Sequence, residues 1–182
     1  MNNVDLSRVK RYGTIGGILL TTFVIPFLGI IGFFSGLLFI AKAIVELSNA
    51  TKDPLIYKKF MAGFMPNIIL AIGLLIFEIF FGVGYLIAKN LKAQGSPTAF
   101  FLLISIMVFI LGYILGIVVA YHYKLAFDKI YDATKDIYFK KAGKTMFLGS
   151  LLTIVGIGIV LVYISYIFIL KAFMSLPQNM EL

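Results

Sequence analysis

The chain has 182 residues, of which 61% are hydrophobic and 13% charged. A soluble domain averages about 45–50% apolar and about 25% charged residues, so this composition excludes a soluble domain, a disordered chain and a small disulfide-stapled fold; it leaves a polytopic membrane protein. Cysteine is absent and the net charge is +8, which removes thiolate chemistry and points the basic excess towards a membrane orientation signal.

In chain order, the apolar stretches are roughly 12–47, 60–88, 98–123 and 145–176. The first is too long for one crossing, because Tyr12 to Ala41 alone is 30 residues, about 45 Å of helix against a hydrocarbon core of about 30 Å. Pro26, within Ile25-Pro26-Phe27-Leu28-Gly29, offers a break, since proline lacks a donor and disfavours helix before itself. The second hairpin follows Lys58-Lys59 and turns at Ala93-Gln94-Gly95-Ser96-Pro97. The last stretch turns at Gly156-Ile157-Gly158. Pro66 and Asn67, early in the third helix, mark a kink or a local polar contact.

Charge decides the span count. With four spans the 16 basic residues divide ten to six; folding the first and last stretches into hairpins leaves only Lys89 and Lys92 opposite the other 14. Basic residues accumulate on the cytoplasmic side. The expected fold is therefore all-α, a polytopic integral membrane protein of six transmembrane helices in one membrane domain spanning 1–182. It comprises a hairpin at 5–48, a hairpin at 60–122, an amphipathic cytoplasmic segment at 124–140 and a hairpin at 141–176. Both termini are expected in the cytoplasm of a cell-membrane protein. An internal echo supports the hairpins: Lys10-Arg11-Tyr12-Gly13 resembles Lys140-Lys141-Ala142-Gly143, and Gly17-Ile18-Leu19-Leu20-Thr21 resembles Gly149-Ser150-Leu151-Leu152-Thr153. Cleavage as a signal peptide is not expected, because the first apolar run exceeds the length of a signal core.

Few residues carry chemistry. Glu78 is the one ionisable residue deep in an apolar run, where a carboxylate is costly and needs protein, water or a partner. Tyr113, on the adjacent antiparallel helix, is the expected partner. Gly13-xxx-Gly17, Gly32-xxx-Gly36 and Gly112-xxx-Gly116 are small-xxx-small faces that let helices approach closely. Within 124–144, Lys124, Asp128, Asp132, Asp136, Lys140 and Lys144 recur every four residues, opposite Phe127, Ile130, Tyr131, Thr134, Ile137 and Tyr138. That pattern predicts one interfacial helix, its apolar face among lipid headgroups or against the bundle, with i,i+4 ion pairs, Lys124 with Asp128 and Asp136 with Lys140. Arg8, Lys10, Arg11, Lys58, Lys59, Lys140, Lys141 and Lys144 are expected to meet anionic headgroups, at about 1 kcal/mol each near a membrane surface.

Other motifs carry no function. Ala142-Gly143-Lys144-Thr145 ends like a phosphate-binding loop but has Tyr138 where the first glycine belongs. Asn49-Ala50-Thr51 matches a glycosylation acceptor but falls on the expected cytoplasmic side. One histidine, His122, cannot build a zinc cluster or a catalytic pair of histidines. The basic residues lack a nucleic-acid-binding architecture, and no cofactor is implied.

The chain resembles the small prokaryotic membrane proteins of the domain of unknown function 996 family, common in archaea. The resemblance rests on Gly13, Gly16 and Gly17 with Leu19-Leu20, on Ile25-Pro26 with Gly29, and on Asp53 with Ile56-Tyr57-Lys58. It continues with Phe139, Ala142-Gly143 and Ala172-Phe173-Met174-Ser175-Leu176-Pro177. It implies an archaeal or thermophilic source and brings no activity, ligand or catalytic residue. The expected role is a non-enzymatic scaffold or accessory subunit of a larger membrane assembly, with other membrane subunits or further copies as partners. The alternative is a small oligomeric transporter or channel for an ion or small solute, with Glu78 lining the path.

Overall fold

The computed structural model describes residues 3–25, 28–90 and 97–181. Six α-helices occur among them: α1 (Ser7–Thr21), α2 (Leu28–Thr51), α3 (Pro54–Asn90), α4 (Pro97–Thr134), α5 (Ile137–Leu152) and α6 (Ile157–Ser175). Two short strands, β1 (Asn3–Asp5) and β2 (Asn179–Glu181), pair antiparallel, with Val4 opposite Met180. The Leu6 amide donates to the Gln178 carbonyl at 2.7 Å, and Lys10 Nζ donates to the Leu176 carbonyl at 2.9 Å, so the two ends of the chain are tied together.

Each helix packs on its neighbour in sequence, and α6 returns to α1, closing a ring of six. The start of α1, the end of α6 and the α2–α3 and α4–α5 connections gather at one end, called the base here. Its core is aromatic: Phe139 meets Phe173 edge-on at 5.1 Å between ring centres, and Phe60 lies 5.3 Å from Tyr123. Phe60, Phe127, Phe139 and Phe173 are all fully buried.

Both basal connections use the same four residues. Ala50-Thr51-Lys52-Asp53 and Ala133-Thr134-Lys135-Asp136 each end one helix and start the next. The threonine hydroxyl donates back one turn, Thr51 to Leu47 at 2.9 Å and Thr134 to Ile130 at 2.8 Å. The lysine then takes a left-handed conformation, φ 54° at Lys52 and 58° at Lys135, which no helix can continue through. The aspartate accepts from the amide two residues on, Leu55 at 2.9 Å and Tyr138 at 2.8 Å, and so satisfies a free donor at the next helix start.

Helix thus runs through nearly all of 42–59 and 124–144, broken only at Lys52-Asp53 and Lys135-Asp136. This corrects an expectation: the amphipathic segment 124–140 is not one interfacial helix. Residues 124–134 are the last three turns of α4, and 137–140 open α5. Phe127, Ile130 and Phe139 face the protein core rather than headgroups. Lys124 does pair with Asp128 at 2.8 Å, but Asp136 caps α5 and accepts from the Ser175 hydroxyl, while Lys140 lies over the Tyr131 ring at 5.0 Å.

The first and last helix pairs have the same local plan. α1 and α2 are separated by a 3-10 turn at Thr22–Val24, and α5 and α6 by one at Thr153–Val155. Gly156 closes the second with φ 81°, a conformation that favours glycine, so the expected turn is present there. Pro26 and the turn residues 93–96 lie outside the described residues. Pro66 sits inside a continuous α3, and Asn67 makes the expected polar contact, donating to the Tyr123 hydroxyl at 3.2 Å.

Helix length divides the molecule. Four helical segments are long and apolar enough to cross a membrane: Leu28–Thr51, Pro54–Ile87, Phe101–Thr134 and Ile157–Ser175. α1 and α5 have only 15 and 16 residues, about 22–24 Å at 1.5 Å per residue. α3 and α4 have 37 and 38, about 55 Å each. The α3–α4 pair therefore continues well past the other four helices, and among the described residues none between 65 and 87 or between 101 and 118 is buried.

Candidate functional site

The hydroxyl of Tyr113 donates to the Leu151 carbonyl at 2.8 Å, one residue from the end of α5. That bond marks the level where α5 stops and α3 and α4 go on alone. It also corrects the expected pairing: the Tyr113 proton is directed to α5, not to Glu78. Glu78 lies one turn above Leu74, exposed on α3, and among the described residues it has no hydrogen bond or ion pair. Phe81 and Tyr85 turn towards α4, where both meet Phe101, with ring centres at 4.9 and 5.8 Å. Glu78 and Gly82 lie off that seam, and a Cβ added at Gly82 would meet nothing within 4 Å. The carboxylate thus sits on a helix face that this chain leaves uncovered, with exposed Leu75 one turn before it and Gly82 one turn after.

A groove of about 230 Å³ opens at the notch between α3, α4 and the end of α5, lined by Leu74, Gly112, Tyr113, Gly116, Ser150 and Thr153, among others. It explains why the third glycine pair behaves unlike the other two. A Cβ on Gly17 would stand 2.8 Å from Leu170 Cα, and one on Gly36 would stand 2.9 Å from the Leu20 nitrogen. Gly13 closes on the Phe173 ring, and Gly32 on Thr22 and Leu19, so these four are close helix contacts. At Gly112 the nearest atom is Leu74 Cδ2 at 3.8 Å, and at Gly116 there is nothing within 4 Å. These two line the groove instead of packing helices within the chain. The sequence reading passed over the tightest seam, Gly149 against Gly158, although Gly149 was visible as the echo of Gly17.

The basic residues form the base. Arg8, Arg11, Lys58, Lys140, Lys141 and Lys144 are exposed, and Lys59 is half-buried. Lys10 is not available to a headgroup in the same way, since it holds the Leu176 carbonyl. Four lysines rest over tyrosine rings, Lys42 on Tyr12 at 4.3 Å, Lys140 on Tyr131, and Lys141 and Lys171 on Tyr138. Such aromatic seats hold the cations at a fixed height. Asp5 accepts from the Ser7 amide at 2.8 Å, and that bond holds its carboxyl below the usual carboxylate range.

The uncharacterized protein MJ1644 of Methanocaldococcus jannaschii is 27% identical over 183 residues, spanning 100% of this chain and 98% of that protein. No solved structure matches the chain. The family model for the protein of unknown function DUF996 matches residues 28–167, from the start of α2 into α6. The chain belongs to the DUF996 family.

Proposed function

We propose that the protein is a non-enzymatic subunit of a membrane assembly, docked through the distal half of its α3–α4 hairpin, with Glu78 at the centre of the contact. The observation that carries this reading is the uncovered carboxylate on an apolar helix pair that the rest of the chain does not reach. An unpaired carboxylate facing lipid is costly, and intramembrane ionisable residues face protein or water. Gly82, one turn further along α3, leaves room for a second helix backbone.

The depth of Glu78 supports the reading. It stands 11 residues before Lys89 in α3, about 16 Å along the helix axis, close to the middle of a hydrocarbon core of about 30 Å. The basal lysines then lie at the opposite, cytoplasmic surface, with both termini, where anionic headgroups attract them.

Mild solubilisation from the native membrane followed by native mass spectrometry tests this. The wild-type chain is expected in a complex, with further copies or with other membrane proteins, and Glu78→Leu is expected to release it as a folded monomer. A wild-type monomer in lipid-retaining nanodiscs overturns the reading. One observation favours a second reading, a small oligomeric transporter: Glu78 is exposed on the α3–α4 pair beyond the six-helix ring, so any path it lines forms between copies. Solute flux in proteoliposomes that changes on Glu78→Gln distinguishes it from a purely docking role.

A further inference from the structure

The ring of six helices encloses a cavity of about 140 Å³ to which every helix contributes at least one side chain. Its walls are almost wholly apolar, from Leu20, Ile40, Phe127 and Ile169 among others, with a polar group formed by Asn67, Tyr123 and Tyr166. Tyr123 and Tyr166 are 4% and 8% exposed. The Tyr123 hydroxyl accepts from Asn67 at 3.2 Å. Among the described residues the one buried side-chain atom without a hydrogen-bond partner is His122 Nδ1, so the Tyr166 hydroxyl, which makes no hydrogen bond there, is reached from the cavity. The central cavity therefore presents unused donors in an apolar chamber.

Gly116 and Ser150 line both the central cavity and the groove beside Tyr113, so the two spaces adjoin there. A Cβ at Gly116 would have no neighbour within 4 Å, so there is open space at that boundary. The groove is lined in part by exposed Phe109 of α4, on the side where an apolar molecule would arrive. No Asp, Glu, Lys or Arg lines either space among the described residues.

We propose that the central cavity and the adjoining groove form a binding site for a neutral lipophile. Its compact head carries a carbonyl or hydroxyl oxygen and sits beside Tyr166 and Asn67; its apolar tail lies in the groove. Size fits, since an apolar cavity of roughly 150 Å³ accepts a benzene ring. Charge selects against phospholipids and fatty acids: a buried anion or cation here has no partner. This site does not depend on Glu78 or on any docking partner.

The test uses the full-length protein in nanodiscs and three probes of equal tail: decyl-benzoquinone, decylbenzene and decyl phosphate. Binding is read by equilibrium titration and by thermal shift. Decyl-benzoquinone is expected to bind, decylbenzene several-fold more weakly, and decyl phosphate not at the cavity. Tyr166→Phe is expected to weaken the quinone about threefold to tenfold, the range of one hydrogen bond, and to leave decylbenzene unchanged. Gly116→Leu, whose Cβ meets no atom within 4 Å, places its side chain where the two spaces adjoin and is expected to abolish binding while the helical signal and melting temperature are retained. Equal binding of quinone and decylbenzene, quinone binding unaffected by Gly116→Leu, or no quinone binding to the wild type each overturns the proposal.

Discussion

Gly149 shows how a single hydrogen atom decides a helix contact. A Cβ there would stand 2.8 Å from the Val162 nitrogen and 2.9 Å from the Gly158 carbonyl oxygen, both backbone atoms that cannot step aside. Gly149→Ala is therefore expected to lower stability by about 1–3 kcal/mol, the cost of overpacking a close contact. Gly116→Ala meets nothing and is expected to raise stability by up to about 1 kcal/mol through helix propensity. Thermal unfolding of the two variants in one detergent checks both signs. The sequence could show where glycines recur but not which of them meet backbone. Gly112-xxx-Gly116 has the same spacing as Gly13-xxx-Gly17, and only the second pair is a tight contact. The difference lies in the partner helix, which spacing within one helix does not describe. Tyr113 makes the same point: its hydroxyl was legible as a bonding group, but its acceptor is a carbonyl of α5, and carbonyls carry no sequence signature.

At the scale of elements, the two basal connections rest on a local code. In each, the lysine of Ala-Thr-Lys-Asp bears the strain of a left-handed backbone and the aspartate restarts the helix. Lys135→Gly is expected to gain up to about 1 kcal/mol by relieving that strain. Asp136→Ala is expected to lose about 0.5–2 kcal/mol, because the Tyr138 amide is left without its cap. Calorimetry on the single variants and the double variant measures both. The expectation of one amphipathic helix across this turn failed for a physical reason. The four-residue recurrence of Lys and Asp continues through it, and one residue of positive φ changes the helix direction without disturbing the charge spacing. The repeated tetrapeptide was the signal that could have placed both turns.

For the whole molecule, the unequal reach of the helices sets how it sits in a bilayer. In α6, Lys171 stands 14 residues after Ile157 at the tip, and in α2 Lys42 stands 14 after Leu28; each rise is about 21 Å, short of a hydrocarbon core of about 30 Å. In α3, Lys89 stands 30 residues after Lys59, a rise of about 45 Å. Setting the outer surface at the tips of the short hairpins would put Ile79, Phe80, Val83 and Leu86, each more than half exposed, into water. Burial of one such side chain is worth roughly 1.5–3 kcal/mol, so the bilayer is expected to cover the distal α3–α4 hairpin and hold the other two tips inside the hydrocarbon. The charge count sorts residues by side and is silent on depth, so the six expected crossings are tested by labelling at the short tips. The chain has no cysteine, so single introduced cysteines report cleanly. Val24 and Ile157, 62% and 63% exposed at the two tips, accept the change without disturbing a packed contact. In sealed, right-side-out vesicles an impermeant maleimide is expected to label Gly95→Cys from outside. Val24→Cys and Ile157→Cys are expected to react from neither side until detergent is added. If Ile157→Cys labels from outside as fast as Gly95→Cys, the short hairpins cross the membrane, and the placement of Glu78 near its centre fails with them.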